Sequence, residues 1–349
     1  MTTPATLTPA GDDAGVGPGS SNDTGTSTGS GHPLIAIIRR AFAWHPPLMT
    51  VAALMAVCAI ISLVGMWLDP RIILGAPAWA KPLKFSLSIL LYTVTWAWLI
   101  AHLPRWQKFA RRLGTVIAVT LAIEQVLIVW AAATGTTSHF NVSDGVHVIV
   151  WAIMAVSITI MYLATFLTSV ALVFLRLPTP ALTLAVRAGA AIALAGIGVA
   201  FLMTGPTPSQ LTEPTGIIGA HAVGLADGGP GLPILGWSFV GGDYRVAHFI
   251  GMHALQILPL FALLVSVVGA RIPRLRRPDT QTRIVAVAAA AYALATVLLT
   301  YQAFVGQSVA HPAGAVLVAA VVITVAALVA AAIILLRAQP QYRNATTAA

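Results

Sequence analysis

The hydrophobic pattern divides most of the chain into long apolar runs separated by short polar segments. Each run is about as long as an α-helix must be to cross the hydrocarbon core of a bilayer, roughly 17 to 25 residues. We therefore predict an all-α fold, a polytopic membrane protein built as a bundle of eight transmembrane helices. The runs are Leu48–Leu68, Phe85–Leu103, Leu113–Ala133, His147–Leu175, Ala188–Thr204, Val246–Ala270, Ile284–Phe304 and Gly314–Leu336.

The flanking segments predict three further regions. Residues 1–31 are rich in Thr, Gly, Ser and Pro with almost nothing apolar, which predicts a disordered N-terminal tail. In residues 32–47, apolar side chains recur at helical spacing beside Arg39 and Arg40, which predicts an interfacial amphipathic helix. The eight-helix domain is then 48–336, and residues 337–349 form a predicted cytoplasmic tail.

The positions of the basic residues predict the orientation. If the N-terminus is cytoplasmic, only Arg71, Lys81, Lys84 and Arg245 of the 19 Lys and Arg residues fall in outer segments, and the other 15 fall in inner ones. Because positively charged segments resist translocation, this bias predicts that both termini are cytoplasmic in a plasma-membrane protein. The composition, 58% hydrophobic and 8% charged, is that of a membrane protein. We attribute the net charge of +9 to contact with the lipid bilayer rather than with nucleic acid.

The longest outer segment, Gly205–Tyr244, is rich in Gly and Pro. A loop of this length without obvious structure is typical of a lid or a binding segment. Its apolar part, around Ile217–Ala226, could return toward the membrane where other protein covers it. It precedes the sixth run, where groups that can carry chemistry are concentrated.

Asp243 and Arg245 lie directly before the sixth run, which contains His248, His253 and Gln256. Ionisable residues inside a transmembrane helix are costly, which makes them candidates for function. His248 and His253 are five residues apart, about 140° around a helix, so they do not form the i, i+4 pair that binds one zinc ion. Each would need partners from other segments. His253 and Gln256 share a face.

Histidines are concentrated at the predicted outer side. Because imidazole is the commonest metal ligand and carries protons near neutral pH, we take four of them as candidate metal ligands. The alternative for each is that it caps a helix end or bonds a loop carbonyl. The four candidates are His139, His147, His248 and His253.

Glu124 is the only acidic residue in the middle of any apolar run. A carboxyl group there must be protonated, paired or hydrated. Because its depth resembles that of His253, we expect a contact between the two and take them as the candidate catalytic, proton-transferring pair. Lys84, Arg245 and Gln256 are candidate contacts for a cofactor or ligand. The alternative for Lys84 is that its ammonium extends to the membrane surface.

Three phrases, WAKPLKFSLS, EQVLIVWAAATGTTSHFN and GGDYRVAHFIGMHALQ, resemble those of an uncharacterised family of bacterial multi-pass inner-membrane proteins. The resemblance covers the eight-helix region and implies no activity. The paired histidines of cytochromes b are absent. The seven-helix zinc hydrolases of the ceramidase and progestin-receptor type have similar residue types, but their HxxxH pair is missing here.

These observations predict a histidine-lined site that opens to the extracytoplasmic side. Our first hypothesis is a membrane redox protein that binds haem or a transition metal. The first alternative is a proton-coupled transporter of a small molecule or ion that uses Glu124 and His253. A further alternative is an intramembrane zinc hydrolase, and a sensor or scaffold role stays open. The sequence carries no signal for oligomeric state.

Overall fold

The computed structural model describes residues 33–213 and 215–341, and in that part of the chain the predicted all-α class is confirmed. The predicted tail at 1–31 and most of the predicted tail at 337–349 lie outside the described residues. The helices are α1 (Pro33–Trp44), α2 (Pro46–Leu68), α3 (Ala80–Ala101), α4 (Gln107–Thr134), α5 (Gly145–Ala171), α6 (Pro180–Val199), α7 (Pro208–Thr212), α8 (Tyr244–Met252), α9 (Ala254–Gly269), α10 (Pro278–Phe304) and α11 (Gly314–Arg337).

Within the described residues, seven helical segments are long and apolar enough to cross a membrane. They contain α2, α3, α4, α5, α6, α10 and α11, and the bent pair α8–α9 makes an eighth if it is one span. The protein is therefore an integral, multi-pass membrane protein. The part of the chain that the structure describes thus has seven or eight such segments, compared with the eight predicted.

Several helices begin earlier than the apolar runs predicted. α3 begins at Ala80 rather than Phe85, and α4 begins at Gln107 rather than Leu113, because their first turns carry Lys and Arg that the apolar pattern excludes. α6 begins at Pro180, where the side chain of Thr179 accepts a hydrogen bond from the Leu182 N–H. Capping residues and prolines at the first helical position mark such starts.

The predicted helix at 32–47 ends within that segment, at His45. α1 stops at Trp44, and the Nδ1 atom of His45 accepts from the Leu48 N–H (3.3 Å) as the N-cap of α2. Nε2 then carries the proton and donates to the Arg111 carbonyl of α4 (2.8 Å). The buried His45 ring thus joins the α1–α2 junction to α4.

Two groups of helices form the bundle. α2, α3 and α4 pack against one another, and α5 packs against α4. α6 lies at the centre of the other group and contacts α8, α9 and α10. α11 packs mainly on α10, and Val316 is its one buried residue.

Connecting segments crowd one end of the bundle, which we call the loop-rich end: residues 69–79, 135–144, 205–213 with the short helix α7, 215–243 and 305–313. Two short antiparallel ribbons stiffen it, β1 (Ile72–Ile73) with β2 (Ala76–Pro77) and β3 (Ala222–Val223) with β4 (Gly242–Asp243). The 205–243 loop is thus bound to the start of α8 by its own β3–β4 pairing.

α3 and α4 reach different heights at the loop-rich end. The Gln125 amide of α4 lies 3.3 Å from the Pro82 carbonyl, in the first turn of α3. α4 continues from Gln125 to Thr134, nine more residues or about 14 Å. α3 therefore begins below the end of α4, and side chains of its first turn lie inside the bundle.

The sixth predicted helix is broken at His253, where α8 and α9 meet with a bend of 48°. The hydroxyl group of Tyr292, on α10, donates to the Ile250 carbonyl (2.6 Å) in the last turn of α8. A carbonyl at a helix end needs a partner inside a membrane bundle, and Tyr292 supplies it. The Ile250 carbonyl at the break thus receives its hydrogen bond from a neighbouring helix.

A proline inside a helix frees a carbonyl about one turn earlier and can kink the helix there, but Pro259 does not mark the observed break. Pro259 lies inside α9, six residues after His253. At the break, Gly251 packs against Gly196 of α6 so closely that a Cβ on Gly251 would lie 2.6 Å from the Gly196 Cα. We attribute the position of the break to this backbone contact and to the Tyr292 bond rather than to the proline.

The glycine contact makes a testable prediction. A methyl group at Gly196 would lie 2.4 Å from the backbone of Gly251, so Gly196→Ala must displace α8. We expect a loss of about 1–3 kcal/mol, the usual cost of overpacking, and a lower thermal unfolding temperature in detergent. Gly205→Ala is the control, because no atom lies within 4 Å of its added Cβ. Equal unfolding temperatures for the two variants would show that the close contact between Gly196 and Gly251 does not determine the stability of the protein.

Candidate functional site

The most concentrated group of buried polar side chains lies at the loop-rich end, between α3, α4 and the 135–144 loop. α3 contributes Lys81 from its first turn, and α4 contributes Glu124. The loop contributes Ser138 and His139, which follow the end of α4 and turn back into the bundle. We call Lys81, Glu124, Ser138 and His139 the relay cluster.

The backbone of Phe140 directs this loop inward. Its φ of 66° is in the left-handed region, which is uncommon for a residue with a Cβ. The Phe140 ring is buried and makes edge contacts with Trp151 (5.1 Å between centroids) and tilted contacts with His221 (4.9 Å). These contacts hold the left-handed turn, and the turn places His139 over Glu124.

His139 is at the centre of the cluster. Its Nδ1 atom lies 3.0 Å from the Lys81 ammonium and 3.0 Å from the Ser138 hydroxyl. Its Nε2 atom lies 3.4 Å from Oε1 of Glu124, longer than an ordinary hydrogen bond. The imidazole therefore has a cation on one nitrogen and a carboxyl group on the other.

This geometry determines the tautomer of His139 when Lys81 is charged. An ammonium only donates, so Nδ1 must accept and the ring proton must be on Nε2, which points at Glu124. Burial lowers the pKa of His139 well below its usual range, and the positive charge of Lys81 lowers it further. The ring is thus neutral at neutral pH, with one nitrogen free to accept and the other able to donate.

The carboxyl group of Glu124 has one oxygen without a partner. Glu124 is only 3% exposed, and its Oε2 atom has no hydrogen-bond partner among the described residues. Leaving a buried polar atom unpaired costs about 1–3 kcal/mol, and more for a charge. Oε2 is therefore a position that favours an added proton or a bound solute donor.

Beside Glu124, Gln125 ties the cluster to α2 and α3. Its amide nitrogen lies 3.0 Å from the Ser86 hydroxyl and 3.2 Å from the sulfur of Cys58. Both Gln125 and Ser86 are buried. These contacts fix the rotation of α4 and so hold Glu124 toward the loop.

His221, in the long loop, covers the relay cluster. Its Nδ1 atom lies 2.6 Å from Asp227, and the backbone N–H groups of His221 and Ala222 donate to the same carboxylate. Burial acts to raise the pKa of Asp227, but the hydrogen bonds and the charge of His221 outweigh it and lower that pKa to about 2. The carboxylate thus holds the loop closed against the Phe140 ring.

His253 lies at a second polar level, at the α8–α9 break. Its Nε2 atom is 3.5 Å from the Ser88 hydroxyl, and its Nδ1 atom is 3.3 Å from the Gln256 side-chain oxygen. Gln256 in turn reaches Thr95 (3.4 Å). The expected shared face of His253 and Gln256 is confirmed.

The structure does not place Glu124 against His253. Glu124 is level with the first turn of α3, whereas His253 meets Ser88, six residues or about 9 Å further along that helix from Pro82. The apolar run hid this difference because it omitted the first turns of α3 and α4. Glu124 faces His139 instead.

The four candidate metal ligands are dispersed. His147 pairs with Asp144 (2.6 Å), the N-cap of α5, and stacks near Trp130. The Nδ1 atom of His248 donates to the Gly196 carbonyl (2.9 Å), so Nδ1 is the protonated nitrogen of that ring. Among residues 33–213 and 215–341, no three His, Cys, Asp or Glu side chains are arranged to hold a metal ion.

The two remaining candidate contacts, Lys84 and Arg245, approach one turn of the long loop. Lys84 donates to the Leu235 carbonyl (2.9 Å), and Arg245 donates to the Gly236 carbonyl (2.6 Å) and to Asp243. They lie apart from Gln256, which is at the His253 level. The three proposed ligand contacts therefore belong to two places.

Sequence reasoning did not select Lys81, Ser138 or Asp227 as site residues. Lys81 carried a signal, because it is three residues before Lys84 on the same helical face. Ser138 precedes His139 directly but had no spacing that favoured it. Asp227 lies in a Gly- and Pro-rich loop, and nothing in its neighbourhood indicated that it would bind His221.

The chain matches no protein-family model, no curated protein and no solved structure. Its function must therefore be inferred from its own residues.

The lowered pKa of His139 predicts a pH-dependent stability. A histidine has a pKa of about 6.5 in the unfolded chain, so below that pH the unfolded chain binds a proton that the folded protein does not. The contribution of His139 to the free energy of unfolding is greatest above pH 6.5. Below that pH it falls by up to about 1.4 kcal/mol per pH unit. We expect His139→Gln to reduce the fall in unfolding temperature between pH 7.5 and pH 5.5.

His311→Gln is the matched control, because His311 is exposed at the same end of the bundle. The variants are compared with the parent protein by thermal unfolding in detergent. An undiminished fall in His139→Gln would show that other groups cause the acid sensitivity.

Proposed function

We propose that this protein is a membrane transporter that couples the movement of a solute to that of a proton through the relay cluster. One observation carries the proposal: the largely buried imidazole of His139 has the Lys81 ammonium on one nitrogen and the Glu124 carboxyl group on the other. Ionisable groups that face one another inside a membrane bundle are typical of proton pathways.

The relay has two balanced states. In the first, the Lys81 ammonium donates to Nδ1 of His139, and the Nε2 proton points at a Glu124 carboxylate. In the second, a proton has passed from Lys81 to Nδ1 and the Nε2 proton has passed to Glu124, so that both end groups are neutral. The total charge is unchanged, and His139 exchanges one tautomer for the other.

The unpartnered Oε2 atom of Glu124 supports a role in coupling. A carboxylate oxygen at that position accepts either a proton or a hydrogen bond from a donor group of the solute. Once Oε2 is protonated it donates instead of accepting, and it no longer binds a solute donor. Proton arrival at Glu124 would therefore change what the site binds, which is the requirement for coupling.

The broken helix supports a transport role independently. Discontinuous helices place polar groups and free backbone at a binding site within many transporter folds. Here the α8–α9 break brings His253 to Ser88 and Gln256, about 9 Å along α3 from the relay level. We propose that a solute passes between these two levels.

For the topology, we propose that α8–α9 crosses the plasma membrane as one broken span, which gives eight spans with both termini in the cytoplasm. The distribution of Lys and Arg along the chain supports this arrangement. The loop-rich end is then extracytoplasmic, which puts the relay cluster near that side of the membrane. The transition-metal and zinc-hydrolase hypotheses lack a group of three His, Cys, Asp or Glu ligands among the described residues.

The test is proton-coupled flux in proteoliposomes that contain a pH-sensitive dye. An imposed proton gradient is combined with a panel of small solutes, and solute-dependent acidification identifies a substrate. Glu124→Gln keeps the shape of the side chain but cannot ionise, so we expect it to lower this flux at least about 100-fold, because removing a positioned proton carrier typically costs 10²–10⁴ in rate.

Glu213→Gln is the control, because Glu213 is an exposed acid of the long loop. Infrared difference spectra between two pH values give a readout that needs no substrate: a buried carboxyl band is expected in the parent and in Glu213→Gln, and not in Glu124→Gln. Full coupled flux in Glu124→Gln, or a band that persists in it, would refute the relay.

A further inference from the structure

Residues 230–239 of the long loop form a compact hairpin over the bundle, which we call the capping hairpin. Leu232 donates to the Trp237 carbonyl (2.8 Å), Phe239 donates to the Pro230 carbonyl (3.0 Å), and Gly236 donates to the Leu232 carbonyl (2.8 Å). Its tip contains a β-branched residue, Ile234, at a φ of 65°, in the left-handed region. Such a conformation is strained for Ile and persists only where surrounding contacts hold it.

Two cations hold the tip, each from a different helix. Lys84 of α3 donates to the Leu235 carbonyl (2.9 Å), and Arg245 of α8 donates to the adjacent Gly236 carbonyl (2.6 Å). The two positive groups thus converge on two neighbouring oxygen atoms. A carboxylate or phosphate group also offers neighbouring oxygens, and in addition a negative charge.

Lys84 differs from the other cations of the loop-rich end. Arg71 pairs with Asp69, Arg245 pairs with Asp243, and Lys81 belongs to the relay cluster. Among the described residues, the Lys84 ammonium has no carboxylate or imidazole partner, and a neutral carbonyl is its acceptor. Asp243 lies near enough to act on Lys84 electrostatically but makes no direct contact with it, so the half-buried ammonium has an open place for a charged acceptor.

We propose that Lys84 and Arg245 bind the anionic group of the transported solute, a carboxylate or a phosphate, and that the carbonyls of Leu235 and Gly236 occupy this position when no anion is bound. This inference rests on the proposed transport function for its role, although anion binding itself does not. The oxygen atoms of the anion then replace the two neutral carbonyl oxygens as hydrogen-bond acceptors, and both partners in each new hydrogen bond are charged. The strained tip is then released from the cations that hold it.

The capping hairpin also contacts the helix break. Trp237 packs edge-on against Phe249 of α8 (5.7 Å between centroids), and Phe249 packs against His253 (4.6 Å). Displacement of the tip would therefore change the packing on His253. This chain of rings connects an anion at the loop-rich end to the second polar level of the proposed path.

The test is an equilibrium titration of purified protein in phosphatidylcholine nanodiscs with acetate, succinate and inorganic phosphate at constant ionic strength. Hydrogen–deuterium exchange of residues 230–239 is the readout. We expect a saturable increase in exchange with at least one of these anions and none with acetamide. Lys84→Gln should weaken the apparent affinity at least tenfold, whereas Lys84→Arg should retain it.

Lys108→Gln is the matched control, because Lys108 is an exposed lysine at the opposite end of the bundle. A second set of nanodiscs contains phosphatidylglycerol. A response to that lipid alone, lost in Lys84→Gln, would assign the anion to a lipid headgroup and remove the solute from the proposal. The absence of any saturable response, or unchanged affinity in Lys84→Gln, would overturn the anion site.

The Glu124→Gln variant separates the two proposals. Anion binding that persists in Glu124→Gln without coupled flux supports both. Anion binding in a parent protein that shows no proton-coupled flux supports the anion site and refutes the transport function. Coupled flux that is intact in Lys84→Gln refutes the claim that this site binds the transported solute, and leaves the proton relay standing.

Discussion

A carboxyl group enclosed by helices must be protonated or paired, and the loop-rich end is arranged around this requirement at Glu124. The loop after α4 folds back and brings His139 to one oxygen of the carboxyl group. The other oxygen has no partner among the described residues. Phe140 and Trp151 pack against the imidazole and His221 packs on Phe140, so that only 18% of the His139 side chain is exposed. The low polarity of that environment is what makes each charge in the cluster depend on its neighbours.

The apolar pattern predicted the class of fold because lipid imposes a severe constraint. A segment that crosses a membrane must satisfy its own backbone hydrogen bonds, so a long apolar run indicates a helix with little ambiguity. The same pattern failed at helix ends. Lys81 and Lys84 excluded the first turn of α3 from its run, although proline at position 82 and the following periodicity are compatible with a helix start.

The site was predictable only in part, and the reason is geometric. His253 and Gln256 lie on one helix, so their proximity follows from spacing alone. The pairing of Glu124 with His139 depends on a left-handed residue at Phe140 and on the relative heights of α3 and α4. Neither has a local sequence signal, because Phe rarely adopts that conformation. The position of each residue within its apolar run gave Glu124 and His253 similar depths in the membrane, and so predicted a contact between them instead.

The contact between Gly196 and Gly251 has a consequence for how the sequence can vary. The backbone of each glycine occupies the place where a side chain of the other would lie. The two positions, 55 residues apart in the chain, therefore act as one unit. A substitution at one removes the benefit of glycine at the other, and the effects of the two will not add. The chain therefore accepts the entropic cost of a glycine inside a helix at both positions, because neither glycine can be replaced alone. Any sequence that keeps this helix crossing must keep both residues small.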